Sequence, residues 1–277
     1  MPHLSRDGFE LSYDVEGQGP PVLMIQGVGV IGEGWRPQVR ALSQDFQVLC
    51  FDNRGLGKSG SGKGPLSIEA MAEDARALMD AMGWKSAHVM GHSMGGLIAQ
   101  QLALDCPERV RSLSLMCTFA RGRDGARVTP RILWMGLRTR IGTRGMRRRS
   151  LLQMLMSKAY LRSTPVDALA DRMAPLMGRD LSENPPILMQ QLQAMSRHHA
   201  LERLGALARI PTLVVSAEED PIALPAFGKQ LAAAIPGARY VEIPDASHAV
   251  TIQKDGEINA LLRRFLDETE KSLTPAG

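Results

Sequence analysis

The sequence predicts an α/β fold: a mostly parallel central sheet with helices on both faces and an inserted helical cap. Three observations lead there. Short apolar runs of strand length alternate with segments of helical periodicity along most of the 277 residues. The alternation stops between Thr118 and Leu207 and then resumes. Composition shifts over the same interval, which holds 15 arginines and one lysine against six acids, whereas the whole chain carries a formal charge of only +4. The expected organisation is a core formed by residues 1–117 and 208–277, with residues 118–207 as the inserted cap.

Each element has its own signal. Phe9–Val15 alternates like an edge strand and ends at the turn residues Gly17-Gln18-Gly19-Pro20. Val22–Ile25 and Gln47–Phe51 are continuous apolar runs, as expected of strands buried on both faces. Ser67 can cap a helix reaching Met82, with Gly83 as its stop. Ala87–Met90 reads as a strand, Met94–Leu104 as a helix ending before Pro107, and Val110–Cys117 as a strand. After the insert come the strand Thr212–Ser216, the helix Pro225–Ala234, the strand Arg239–Ile243 and the helix Glu257–Glu270.

Composition excludes several classes. A hydrophobic fraction of 44% and a charged fraction of 22% are those of a globular chain, not a disordered or fibrous one. The three cysteines, Cys50, Cys106 and Cys117, are odd in number and lack metal-ligand spacing, so neither a disulfide framework nor a metal site is implied. The longest apolar stretch, Pro20–Gly32, is broken by glycines and Gln26 and falls short of the ~20 residues that span a bilayer. The first ten residues lack the apolar core of a secretory signal. A soluble, cytoplasmic protein is the expectation. The basic charge comes with no nucleic-acid recognition motif and no interleaved aromatics, so no nucleic-acid partner is expected.

The sharpest chemical signal is Gly91-His92-Ser93-Met94-Gly95, placed where a strand should end and a helix begin. That context suits a serine on a tight strand-to-helix turn, with small residues two positions to either side. A serine hydroxyl needs a base to become a nucleophile. Of the six histidines, His3 is terminal, His88 lies in the strand, His92 is constrained by the turn, and His198 and His199 belong to the insert. His248 follows the last strand in a loop, where open α/β sheets place their sites, and is the favoured base. A third group must orient the imidazole. Glu218, Glu219 and Asp220 follow the strand Thr212–Ser216, and all three can also be read as a solvated acidic turn. Asp220 is favoured because its short side chain, directly before Pro221, can be held rigidly; Glu219 is the alternative.

With its order Ser93, Asp220, His248, the chain resembles the α/β-hydrolases, in particular small esterases, enol-lactone hydrolases and cofactor-free haloperoxidase/perhydrolases. Phe51-Asp52-Asn53-Arg54-Gly55-Leu56-Gly57-Lys58-Ser59 resembles that group's D-x-R-G-x-G-x-S loop. The resemblance covers about residues 8–117 and 210–265, and the insert corresponds to the family's variable cap. It implies hydrolysis of an ester, lactone or thioester of a small-to-medium hydrophobic substrate through an acyl-enzyme, with no cofactor and no metal. It also implies an oxyanion hole from the backbone N–H groups of Met94 and Val28. Many relatives carry His-Gly where this chain has Gln26-Gly27, which puts Gln26 beside the substrate. A serine at the elbow removes the aspartate-dependent dehalogenases and epoxide hydrolases. Perhydrolysis, carbon–carbon hydrolysis and acyl transfer use the same residues; a ligand receptor on the same scaffold is the reading from another class.

Three further features have paired readings. Asp52 and Arg54 either touch substrate or form a buried ion pair or loop-bracing hydrogen bonds. Trp35 either lines the acyl pocket or packs in the core. Eight of the 16 methionines lie in the insert, among them Met135, Met154, Met156, Met173, Met177, Met189 and Met195. They form either a plastic wall for the substrate or the packing of cap on core. The arginines around Arg147-Arg148-Arg149 are either a solvated face or a site for a carboxylate or anionic carrier.

Overall fold

In the computed structural model, residues 2–125 and 130–273 are described. The chain opens with β1 (His3–Arg6) and β2 (Phe9–Glu16), paired antiparallel. Then follow β3 (Pro21–Ile25), α1 (Arg36–Leu42), β4 (Gln47–Phe51), α2 (Ile68–Ala81), β5 (Ala87–His92), α3 (Met94–Asp105) and β6 (Val110–Met116). Ser67 caps α2, its hydroxyl accepting the Ala70 N–H at 3.1 Å. The sheet has eight strands in the order β1-β2-β4-β3-β5-β6, continued by β7 (Thr212–Ala217) and β8 (Arg239–Ile243). β2 meets β4 antiparallel, and every pairing from β4 to β8 is parallel.

Burial explains this order. Val22, Leu23, Met24 and Ile25 of β3 are wholly buried, and β5 is buried along its length. Each such large apolar side chain contributes about 2 kcal/mol on leaving water. Central strands covered by helices on both faces therefore read as unbroken apolar runs. At the far edge β8 is largely half-exposed and carries Arg239 and Glu242.

Between β6 and β7 lie α4 (Gly122–Gly125), α5 (Pro130–Arg138), α6 (Arg144–Leu155), α7 (Lys158–Ser163), α8 (Val166–Met177) and α9 (Ile187–Arg197). A second apolar cluster, built on Leu152, Met156, Leu169, Met173 and Met177, holds α6 and α8 together and reaches Ala249 beside His248. Both ends of the interval, Phe119 and Ala120 on one side and Leu204 and Leu207 on the other, pack into the main core. After β7 the chain forms α10 (Pro225–Ala234), then β8, the short α11 (Val250–Gln253) and α12 (Asp255–Leu273). No helix among the described residues is long and apolar enough to cross a membrane.

Three elements lie outside the sequence expectation: β1, α1 and α11. β1 is four residues with two polar side chains, too short to show a period. α1 carries Pro37 in its first turn and spaces its apolar residues among Arg36, Gln38 and Arg40.

Candidate active site

The site lies at the C-terminal ends of five adjacent parallel strands, where loops leave the sheet. At the end of β5, Ser93 adopts φ 55° and ψ −120°, a left-handed conformation that costs energy for any side chain. Three contacts hold it there. Its N–H donates to the Met116 carbonyl at 2.9 Å, and its own carbonyl accepts from the Gly96 N–H at 2.9 Å and the Thr118 hydroxyl at 2.7 Å. A methyl group at Gly95 would stand 2.1 Å from the Ile25 carbonyl oxygen, and one at Gly91 would stand 2.3 Å from the Gly95 carbonyl oxygen. The strand and helix flanking the serine can approach this closely only with glycine at both places.

The Ser93 hydroxyl lies 3.0 Å from Nε2 of His248, whose Nδ1 lies 2.7 Å from Oδ2 of Asp220. A carboxylate only accepts, so Nδ1 carries the proton and Nε2 is left to accept the serine proton. Asp220 is fixed in turn: its Oδ1 accepts the N–H groups of Ile222 at 2.8 Å and Ala223 at 2.9 Å. All three side chains are buried. Glu219 points elsewhere, accepting the Lys158 N–H at the start of α7 at 3.1 Å, and Glu218 accepts the Asp245 N–H at 3.1 Å.

After β3, Gly27 passes directly over the serine; a methyl group there would stand 2.9 Å from Ser93 Cβ. Among the described residues, no acceptor takes the N–H of Val28 or of Met94, the first residue of α3. Gln26 is buried at the cavity wall, and Asn53 donates to its carbonyl at 2.9 Å. Asp52 braces two loops at once, accepting the Gly32 N–H at 2.8 Å and the Lys58 N–H at 3.0 Å. Arg54 does not pair with it. Its guanidinium binds Asp74 of α2 at 2.5 and 2.7 Å. Asp52 and Arg54 are thus loop braces, set apart from the serine. Trp35 is a core residue, wholly buried, with its ring edge-on to His92 at 6.4 Å and no part in lining the cavity.

A cavity of about 540 Å³ opens over Ser93 and His248. The cap supplies most of its wall, including Leu151, Met154, Met173, Met177, Met189 and Met195. Met135 and Met156 are buried but do not line it. The arginine run is divided: Arg148 is buried against Asp180 and Asp171, Arg144 pairs with Asp180 at 2.5 Å, and Arg149 is exposed.

Several residues at the site had no sequence signal of their own. His92 Nε2 donates to the carbonyl of His248 at 2.8 Å, and burial lowers its pKa to about 4. Cys117 lies behind Asp220; burial, and then that carboxylate, push its thiol pKa well up. One ligand atom each from His92, Cys117 and His248 lies within 4.8 Å of the others, but both ring nitrogens of His248 and Nε2 of His92 are already engaged in hydrogen bonds. The donor set therefore suits the serine network better than a metal. Arg179 and Gln191 of the cap reach down to Gly29, a contact between segments too far apart in sequence to anticipate.

Comparison with known proteins agrees with this architecture. The family model described as alpha/beta hydrolase fold matches residues 20–255. A protein of Azorhizobium caulinodans, provisionally named carbamate hydrolase RutD, is 30% identical over 98% of this chain and 100% of its own length. The crystal structure of an enol-lactonase from Burkholderia xenovorans superposes with a TM-score of 0.81 at 30% identity, covering 96% of this chain and all of that one. A thermophilic esterase from Thermogutta terrifontis superposes with a TM-score of 0.80 at 26% identity, covering 97% of this chain and 99% of that one. The sheet order, the elbow at Ser93 and these likenesses together place the chain in the alpha/beta hydrolase fold family.

Proposed function

We propose that the protein is a serine hydrolase that cleaves a carboxylic ester, lactone or thioester through an acyl-enzyme. One observation carries the reading: Asp220, His248 and Ser93 form a continuous hydrogen-bonded chain that ends on a serine in a strained turn. In the reaction, His248 Nε2 takes the proton of Ser93 as its oxygen attacks the carbonyl. Asp220 keeps the imidazole in the right tautomer and stabilises the imidazolium. The N–H groups of Met94 and Val28 receive the oxyanion, each contributing about 3 kcal/mol to lowering the barrier. His248 then protonates the leaving alcohol or thiol, and a water activated by the same nitrogen releases the acid.

The apolar wall supports a substrate with a hydrophobic acyl part. The names of the enol-lactonase and the thermophilic esterase support the ester and lactone classes. The test is a panel of p-nitrophenyl esters, thioesters and lactones assayed with wild type and Ser93→Ala. Turnover of at least one class that falls by roughly 10³-fold or more in the variant supports the reading. Equal rates in both proteins contradict it.

A further inference from the structure

We propose that the cavity takes acyl substrates bearing a carboxylate, and that Arg179 is the residue that binds this group. The proposal rests on the hydrolase reading above and names its substrate class. Arg179 follows Gly178, the left-handed cap that ends α8, and lines the cavity. Its Nη1 donates to the Gly29 carbonyl at 2.6 Å, while Oε1 of Gln191 on α9 accepts the Gly29 N–H at 2.8 Å. Gly29 directly follows Val28, so the cap grips the oxyanion loop one residue from the Val28 N–H. Neighbouring Cα atoms are about 3.8 Å apart. A group bound at Arg179 thus lies within a few bonds of the carbonyl under attack.

What marks Arg179 is the missing counter-charge. Among the described residues the two buried guanidiniums meet carboxylates, Arg54 with Asp74 and Arg148 with Asp180 and Asp171, and half-buried Arg36 meets Glu33 and Asp14; half-buried Arg138 and Arg147 lack an ion pair as Arg179 does, but neither lines the cavity. Among the described residues Arg179 forms no ion pair, and its buried Nε has no acceptor. The amide nitrogen of Gln191, on the other side of the same glycine, is also buried without an acceptor. Among the described residues no aspartate or glutamate lines the cavity, whereas Arg140 lines it as a second cation. Burial lowers the pKa of Arg179, with Glu183 opposing. A guanidinium removed from water without a partner is costly, and a ligand carboxylate removes that cost with one or two charge-assisted hydrogen bonds. A purely structural clamp on Gly29 needs only a neutral donor.

The experiment measures the rate at which a fluorophosphonate labels Ser93, with and without added glutarate or its neutral diamide. In wild type, glutarate at saturation slows labelling at least about 10-fold and the diamide does not. Arg179→Met still labels but loses the protection, and Arg179→Lys retains part of it. In parallel, the kcat/KM ratio between a p-nitrophenyl hemiester of glutaric acid and its methyl-capped diester falls roughly 10- to 100-fold in Arg179→Met. Any loss common to both substrates reports the clamp on Gly29. Equal protection by acid and diamide, protection that survives Arg179→Met, or an unchanged substrate ratio overturns the carboxylate site while leaving Ser93 reactive. Failure of wild type to label at all overturns the hydrolase reading itself, and this site with it.

Discussion

The ring of His92 donates from Nε2 to the backbone carbonyl of His248 at 2.8 Å, so the residue just before Ser93 holds the main chain of the histidine bonded to the Ser93 hydroxyl. The two rings lie 5.0 Å apart. His92 is neutral in this role, because burial brings its pKa to about 4. Replacing it by phenylalanine removes the donor and leaves the His248 carbonyl buried and unpaired. We expect kcat to fall about 10-fold, or 1.4 kcal/mol in barrier, with far-ultraviolet circular dichroism unchanged.

The same shift makes the fold sensitive to acid. The unfolded chain takes up a proton at His92 below about pH 6.5, whereas the folded chain does so only below about 4. Stability is therefore whole above 6.5 and falls as the pH drops between these values. The loss assigned to His92 is on the order of 3 kcal/mol. Urea midpoints at pH 7.5 and pH 4.5 should differ less in His92→Gln than in wild type.

Asp220 and Glu219 are adjacent acids with different work. Asp220→Asn leaves His248 with a donor where it needs an acceptor, and kcat should fall roughly 10³- to 10⁴-fold. Glu219→Gln keeps an oxygen that can accept the Lys158 backbone N–H and should stay within about threefold of wild type. Steady-state kinetics of the two variants separates them.

Gly27 and Gly95 should fail in different ways on gaining a methyl group. At Gly27 the nearest neighbour is Ser93 Cβ at 2.9 Å, a mild overlap that a small displacement of the loop away from the serine relieves; activity should fall about 100-fold while the protein stays folded. At Gly95 the neighbour is the Ile25 carbonyl oxygen at 2.1 Å, which cannot move without parting β3 from α3. Gly95→Ala should lose more than about 3 kcal/mol of stability, read as a lowered Tm or insoluble expression.

Arg54→Met should leave Asp74 buried with a far weaker partner, since Arg6 reaches it only at 3.4 Å. We expect a loss of about 3 kcal/mol in urea unfolding. Ser93 labelling at a permissive temperature should persist.

Much of this was legible in the sequence because local signals agreed with the fold. Apolar runs at β3, β4 and β5 reflect burial on both faces, and Gly91 and Gly95 mark the close approach at Ser93. His248 and Asp220 were legible from chain order, since each follows the C-terminal end of a strand. What stayed hidden depends on contacts across the chain. Arg54 pairs with Asp74, not with anything in its own motif, and Asp74 looks like any helix acid. Arg179 and Gln191 meet Gly29 across more than 140 residues. Trp35, read with equal weight as pocket or core, is decided by packing against His92.

The most direct test mixes wild-type protein with excess p-nitrophenyl acetate, quenches in acid within milliseconds, and maps peptides by mass spectrometry. The account predicts an acetyl group on the peptide carrying Ser93, formed with a burst of p-nitrophenol of about one equivalent, and absent in Ser93→Ala. Turnover of the ester with no acyl group on Ser93, or with an undiminished burst in the variant, would contradict it.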